Sequence, residues 1–213
     1  MSKRDTMERR AYSFEIRAED TEGAGIIEGR PIVYESKTDL GFFDEIIKRG
    51  ALKNTNLKDV RFLVNHDMSR IPLARSRNNN ERSTMQLMPD DDGLAIRVRL
   101  DVENNSEARA LYSAVQRGDI TGMSFLFGVD EEDWSGLDTD HPTRTIISIA
   151  EVLEVSAVTF PAYEATEIET RSKGALDSAR ARATDIARHN APDGAEALEL
   201  EKARNRNLLI IWG

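Results

Sequence analysis

The 213-residue sequence predicts an α+β fold, mainly β with helices, followed by a helical or partly disordered C-terminal tail. Three observations carry this prediction. Apolar residues alternate with period 2 over many short segments. One interior segment, residues 105–117, switches to helical spacing and is bounded by capping residues. After Pro161 the composition turns to alanine and arginine, again at helical spacing.

Each element follows from its local pattern. Residues 1–10 are read as a flexible N-terminus. Residues 11–18 alternate as a strand. Residues 24–34 form a second strand, in which Gly29 and Pro31 suggest a bend or an edge. Residues 42–50 read as a short helix or turn closed by Gly50. Residues 59–65 and 71–77 are strand-like. Residues 84–88 and 94–102 flank Pro89-Asp90-Asp91-Asp92-Gly93, which reads as a hairpin with a solvated turn. In residues 105–117, Ala108, Leu111 and Val115 share one helical face. Asn105 or Ser106 can cap the start and Gly118 the end. Residues 122–128 form an apolar strand, 130–143 an acidic loop, and 144–160 one or two strands. Residues 172–190 place Leu176, Ala179, Ala183 and Ile186 at helical spacing. Ala191-Pro192-Asp193-Gly194 breaks that helix, and a second helical segment runs toward Leu208-Leu209-Ile210-Ile211-Trp212. No repeat of about 20–50 residues is visible.

Composition narrows the function classes. Net charge is −9, yet residues 171–213 hold 8 Lys and Arg against 6 Asp and Glu. The acidity therefore sits in the main body. A basic face is expected of a nucleic-acid binder, so no nucleic-acid partner is expected. The absence of cysteine removes disulfides, thiolate zinc sites and a cysteine nucleophile together. No apolar run approaches the ~18 residues of a membrane span. Residues 1–6 lack the apolar stretch of a signal peptide, so neither a membrane partner nor export by that route is expected.

Ser124 is the most informative single residue. It stands inside the apolar run Thr121-Gly122-Met123-Ser124-Phe125-Leu126-Phe127-Gly128. A small hydroxyl residue there either fills a tight spot or acts as a nucleophile. A serine nucleophile needs a base, and histidine is the usual one. The chain has three histidines. His189 lies in the tail and His141 in the polar stretch Asp138-Thr139-Asp140-His141-Pro142; His66 alone ends an apolar strand, Phe62-Leu63-Val64-Asn65-His66-Asp67. The plain alternative for His66 is a hydrogen-bonded histidine at the edge of the core. Glu154 lies in a stretch that otherwise reads as core, where an unpaired charge costs several kcal/mol. Glu151 poses the same problem. By parity Glu154 and Ser156 share a face and Glu151 points to the other. Either glutamate can orient His66, or can pair with Arg97, Arg99 or Arg144. Phosphate-loop, zinc-helix and GxSxG signatures are absent, and residues 130–140 do not match calcium-loop spacing. No cofactor and no metal is expected.

Taken together these residues resemble the phage prohead maturation proteases of the Hong Kong 97 type, a family related in fold to herpesvirus assemblin. The resemblance rests on Phe62-Leu63-Val64-Asn65-His66, on Gly122-Met123-Ser124-Phe125, and on the run from Leu153 to Ala162. Gly29-Arg30-Pro31-Ile32-Val33-Tyr34 and Ile46-Ile47-Lys48-Arg49-Gly50-Ala51-Leu52 add to it. It covers roughly residues 12–170. It implies a serine protease domain over residues 11–170, an assemblin-like β-barrel surrounded by helices, with 171–213 as a charged tail. It implies a serine endopeptidase (a hydrolase of capsid maturation and virion assembly) acting inside the prohead in the bacteriophage host's cytoplasm. Its partners would be the major capsid protein precursor, with its scaffolding segment, and the chain itself through autocleavage; an oligomer is compatible with this. By the family pattern Ser124 is the nucleophile and His66 the base. The herpesvirus branch uses a second histidine as third member, where this chain has glutamates; Glu154 is preferred over Glu151. Residues 162–165 are candidates for the oxyanion amides. Two other readings compete: a non-catalytic scaffold or assembly protein on the same barrel, and another serine hydrolase such as an esterase.

Overall fold

The computed structural model describes residues 7–12, 16–21, 24–159 and 165–189. These residues are mainly β with two helices. The strands are β1 (Met7–Tyr12), β2 (Arg17–Thr21), β3 (Ala24–Val33), β4 (Lys37–Asp39), β5 (Asp44–Ile47), β6 (Asp59–Val64), β7 (Ala74–Arg77), β8 (Met85–Asp90), β9 (Gly93–Leu100), β10 (Gly122–Ser135) and β11 (Thr143–Val158). The helices are α1 (Ser106–Arg117) and α2 (Ala165–His189).

Pairing among the described residues gives two sheets, and no closed barrel. One has the order β1-β10-β11-β5-β4, with β6 also on β11 and β7 on β6; the other runs β2-β3-β9-β8. β11 organises the larger sheet. Along one edge it pairs antiparallel with β10. Along the other it takes two parallel partners in succession, β5 against residues 143–146 and β6 against residues 154–157. A parallel pair cannot be closed by a tight turn, so the long excursions between these strands deliver His66, at the end of β6, to the far end of β11.

The core is built from apolar residues of both sheets and α1. Phe62, Phe125, Phe127, Ile27, Ile96, Val98, Val155 and Leu111 belong to one buried cluster. α1 starts at Asn105, whose side chain accepts from Glu107 N and Ala108 N, and stops at Gly118 in the left-handed region, φ 74°. Both caps, and the buried face Ala108, Leu111 and Val115, are those the spacing predicts.

Several elements depart from the sequence reading. Residues 7–10, expected to be flexible, lie in β1 and pair with β10. The single strand expected over 11–18 is replaced by the end of β1 and the start of β2, which join different sheets. Residues 44–47, within the segment expected as a short helix or turn, are a strand. Their alternation, with Glu45 and Ile47 buried, outweighs the closing Gly50. The acidic stretch 130–135, expected as loop, continues β10 because β11 supplies partners as far as Thr143. In α2, Leu176 and Ala179 are buried, whereas Ala183 and Ile186 are exposed. Residues 191–213, with their expected break and second helical segment, lie outside the described residues.

The chain divides into two compact units, Met1–Gly174 and Ala175–Gly213. The first holds all the strands and α1. The described part of the second is the last fifteen residues of α2, Ala175–His189.

The β8–β9 hairpin is tight, with Asp90 paired to Gly93. Gly93 has φ 142°, and a Cβ there would lie 2.0 Å from the Ile32 carbonyl oxygen. Gly93→Ala should therefore destabilise the protein by at least ~2 kcal/mol. Urea unfolding checks this; a midpoint equal to wild type would contradict the packing of β9 on β3.

Candidate active site

Three strands bring the predicted residues together. β6 ends at Val64, and the next two residues, Asn65 (φ 49°) and His66 (φ 55°), are left-handed. That conformation is uncommon for any residue but glycine, and costs on the order of 1–2 kcal/mol each. It is held by surrounding bonds. Asn65 N donates to the Ala157 carbonyl at 3.0 Å. The Asn65 side chain accepts from Thr159 N at 3.0 Å and donates to Thr159 Oγ1 at 3.1 Å. The double left-handed turn reverses the chain and brings the His66 ring back against β11 and β10.

Ser124 pairs with Ser156 across β10 and β11, and Leu126 pairs with Glu154. His66 Nε2 lies 2.5 Å from Ser124 Oγ. His66 Nδ1 is hydrogen-bonded to Glu154 Oε1. All three side chains are buried, with Ser124 and Glu154 fully out of solvent. A carboxylate on Nδ1 favours a proton there and leaves Nε2 as the acceptor toward the serine. The series serine, histidine, carboxylate can therefore pass the hydroxyl proton to the ring and stabilise the resulting imidazolium.

Ser156 is a contributor that sequence reasoning missed. Its hydroxyl accepts from His66 N at 3.0 Å and donates to Glu154 Oε2 at 2.7 Å. Each carboxylate oxygen of Glu154 thus has a partner, as a buried charge requires. The shared parity of Glu154 and Ser156 was the available signal. Glu151 lies farther back along β11, half-exposed, with a backbone bridge to Asn56. Two of the three arginines read as alternative partners of Glu154 are engaged elsewhere. Arg144 binds Glu8, Glu45 and Glu132, and Arg97 donates to Glu28. His141 is partly exposed at the surface, with Nε2 3.2 Å from Asp44. His189 is exposed at the end of α2. Residues 162–164, named as oxyanion candidates, lie outside the described residues, and Ala165 opens α2.

A second buried polar group adjoins the site through β1. The Arg10 guanidinium is bidentate on Glu45, at 2.5 and 2.7 Å, and Arg144 donates to Glu45 at 3.0 Å and to Glu8 at 2.6 and 2.7 Å. Burial works against the charge of both arginines, but the glutamates outweigh it and hold both pKa values above the ordinary range. Burial likewise pushes the Glu8 carboxyl up, yet Arg10 and Arg144 bring it down to about 2.

The family described as caudovirus prohead serine protease matches residues 12–179. That is most of the sequence, and the chain belongs to this family. The prohead protease of Enterobacteria phage HK97 is 31% identical over 143 residues, which are 66% of this chain and 57% of that protein. The chain thus spans less than two thirds of that relative's length. The solved bacteriophage T4 capsid assembly protease aligns over 73% of this chain and 98% of its own, with TM-score 0.42 and 11% identity.

The Glu8 group makes a pH prediction. A carboxyl whose folded pKa is depressed adds stability that is complete above its unfolded value, 4.5, and is lost as pH falls toward about 2. Glu8→Gln should therefore lose less stability than wild type between about pH 5 and pH 3. Urea midpoints across that range decide it; parallel losses in both proteins would show that the Glu8 pairs do not hold in solution.

Proposed function

We propose that this chain is a serine endopeptidase of capsid maturation, with Ser124 as nucleophile, His66 as general base and Glu154 as the group that orients and charges the ring. The observation that carries this is the hydrogen-bonded series Ser124 Oγ, His66 Nε2, His66 Nδ1, Glu154 Oε1, in a chain of the prohead protease family. Its substrate is the precursor of the major capsid protein, from which it removes the scaffolding segment inside the prohead, and it also cuts itself. The protease domain runs from β1, which begins at Met7, to residue 170 on an assemblin-like arrangement of strands, and residues 171–213 follow as a charged tail.

The mechanism follows from the geometry. His66 Nε2 removes the Ser124 proton as Oγ adds to the scissile carbonyl. Glu154 steadies the imidazolium, and Ser156 holds Glu154 through its second oxygen. The protonated ring then donates to the leaving amine. Water enters by the same route to release the acyl group. A non-catalytic scaffold would have no need of a buried carboxylate against a left-handed histidine, a combination that costs stability and has to be held by surrounding bonds.

Coexpression with the capsid precursor tests the assignment. Ser124→Ala and His66→Ala should each abolish cleavage of precursor and chain alike, because nucleophile and base act as a unit. His141→Ala should cleave at close to the wild-type rate. Full processing by a folded Ser124→Ala protein would end the serine-protease reading.

The two glutamates separate cleanly. Removing the corresponding charge in a well-studied serine protease costs about 10⁴ in rate through the wrong histidine tautomer. Glu154→Gln should lower the cleavage rate at least ~10²-fold, and Glu151→Gln should change it little. The check is the rate of precursor loss with folding followed by circular dichroism; the reverse ranking would move the orienting role to Glu151.

A further inference from the structure

The edge of β10 that carries Ser124 is already occupied. β1 pairs along it antiparallel, from Met7 opposite Gly128 to Tyr12 opposite Met123. In the middle of this pairing Arg10 makes two contacts at once. Its carbonyl oxygen accepts from Ser124 Oγ at 2.7 Å. Its side chain leaves on the other face, since Arg10 pairs with Phe125 and paired residues share a face. There the guanidinium is bidentate on the fully buried Glu45 and sits 5.7 Å from the ring centre of Phe127.

The carbonyl contact bears on the reaction. A serine hydroxyl has one proton. Donated to the Arg10 carbonyl, it is withheld from His66 Nε2, 2.5 Å away. The contact also places the carbonyl oxygen against Oγ, and so it is a resting contact and not an attack. An extended peptide that must reach a nucleophile on a strand edge binds by adding a strand to that edge. β1 already does this, with a main-chain carbonyl at the nucleophile and the same residue's side chain in a pocket.

We propose that β1 stands in the substrate's place: the β10 edge is the groove for the peptide to be cut, and the Glu45 pocket takes an arginine or lysine side chain of the residue just before the cleaved bond. This rests on the serine-endopeptidase reading and specifies its substrate. The pocket suits a cation because Glu45 is buried and presents both oxygens to Arg10, with the Phe127 face beside it. In the reaction Oγ adds to the carbonyl carbon of that basic residue and its proton passes to His66. The C–N bond breaks with the proton going to the amine, and water then hydrolyses the ester. One peptide bond and one water become a carboxylate and an amine. A substrate strand has first to displace β1, which competes as a tethered ligand at high effective concentration.

The test uses the full wild-type chain, an unbiased peptide library and mass spectrometry of the products, with Ser124→Ala as control. Arginine or lysine should precede the cut bond in most Ser124-dependent products. Replacing that residue by alanine in one good peptide should lower kcat/KM at least ~10-fold. Arg10→Ala, which weakens the tethered competitor, should raise kcat/KM on the arginine peptide; if it fails to fold by circular dichroism, the library result decides alone. Ser124-dependent cleavage without basic preference would overturn the pocket assignment and leave the protease reading standing. No Ser124-dependent cleavage of any peptide or of the capsid precursor would overturn both.

Discussion

A carboxylate with no access to water dominates the energetics of this fold. Glu154 is fully buried toward the C-terminal end of β11, and a lone charge there would cost several kcal/mol. The structure answers with two hydrogen bonds, one from His66 and one from Ser156. The first of these sets severe conditions on the chain. β6 has to run parallel to β11 and end level with Ala157. Two left-handed residues then have to turn the ring back toward the sheet. The local strain of Asn65 and His66 is tolerable because Thr159, Ala157 and Ser156 hold the turn at four points.

The same register positions Ser124. Ser124 faces Ser156 across β10 and β11, two pairs away from Leu126 and Glu154. Once His66 is oriented by Glu154, its Nε2 is at Ser124 without further adjustment. The second buried charge group, Arg10 and Arg144 with Glu8 and Glu45, follows the same logic at the other side of the sheet. It ties β1 to β5 and β11, and so holds the N-terminal strand against the edge of β10 that carries Ser124.

Much of this was legible in the sequence, for identifiable reasons. A charged residue in an apolar run has to be paired, which pointed to Glu154 and Glu151 and left the choice between them to strand parity and the family resemblance. A histidine at the end of an apolar strand has to be near a sheet surface, which singled out His66. The caps and apolar face of α1 are local, so spacing alone located them. Failures came where a long-range partner decided the outcome. Residues 130–135 look like a loop until β11 is placed beside them. Asp44 to Ile47 look like a turn until the parallel pairing with residues 143–146 is known. β1 could not be read from Met7-Glu8-Arg9-Arg10, because two adjacent arginines suggest solvent unless Glu8 and Glu45 are known to meet Arg10.

The most direct test is covalent capture of the proposed nucleophile. The intact chain would be treated with a serine-directed phosphonate and the modified residue located by peptide mass spectrometry. A single adduct on Ser124, formed far more slowly in His66→Ala, is the predicted result. Modification at another serine such as Ser156, or an unchanged labelling rate in His66→Ala, would contradict the assignment of Ser124 and His66 as nucleophile and base.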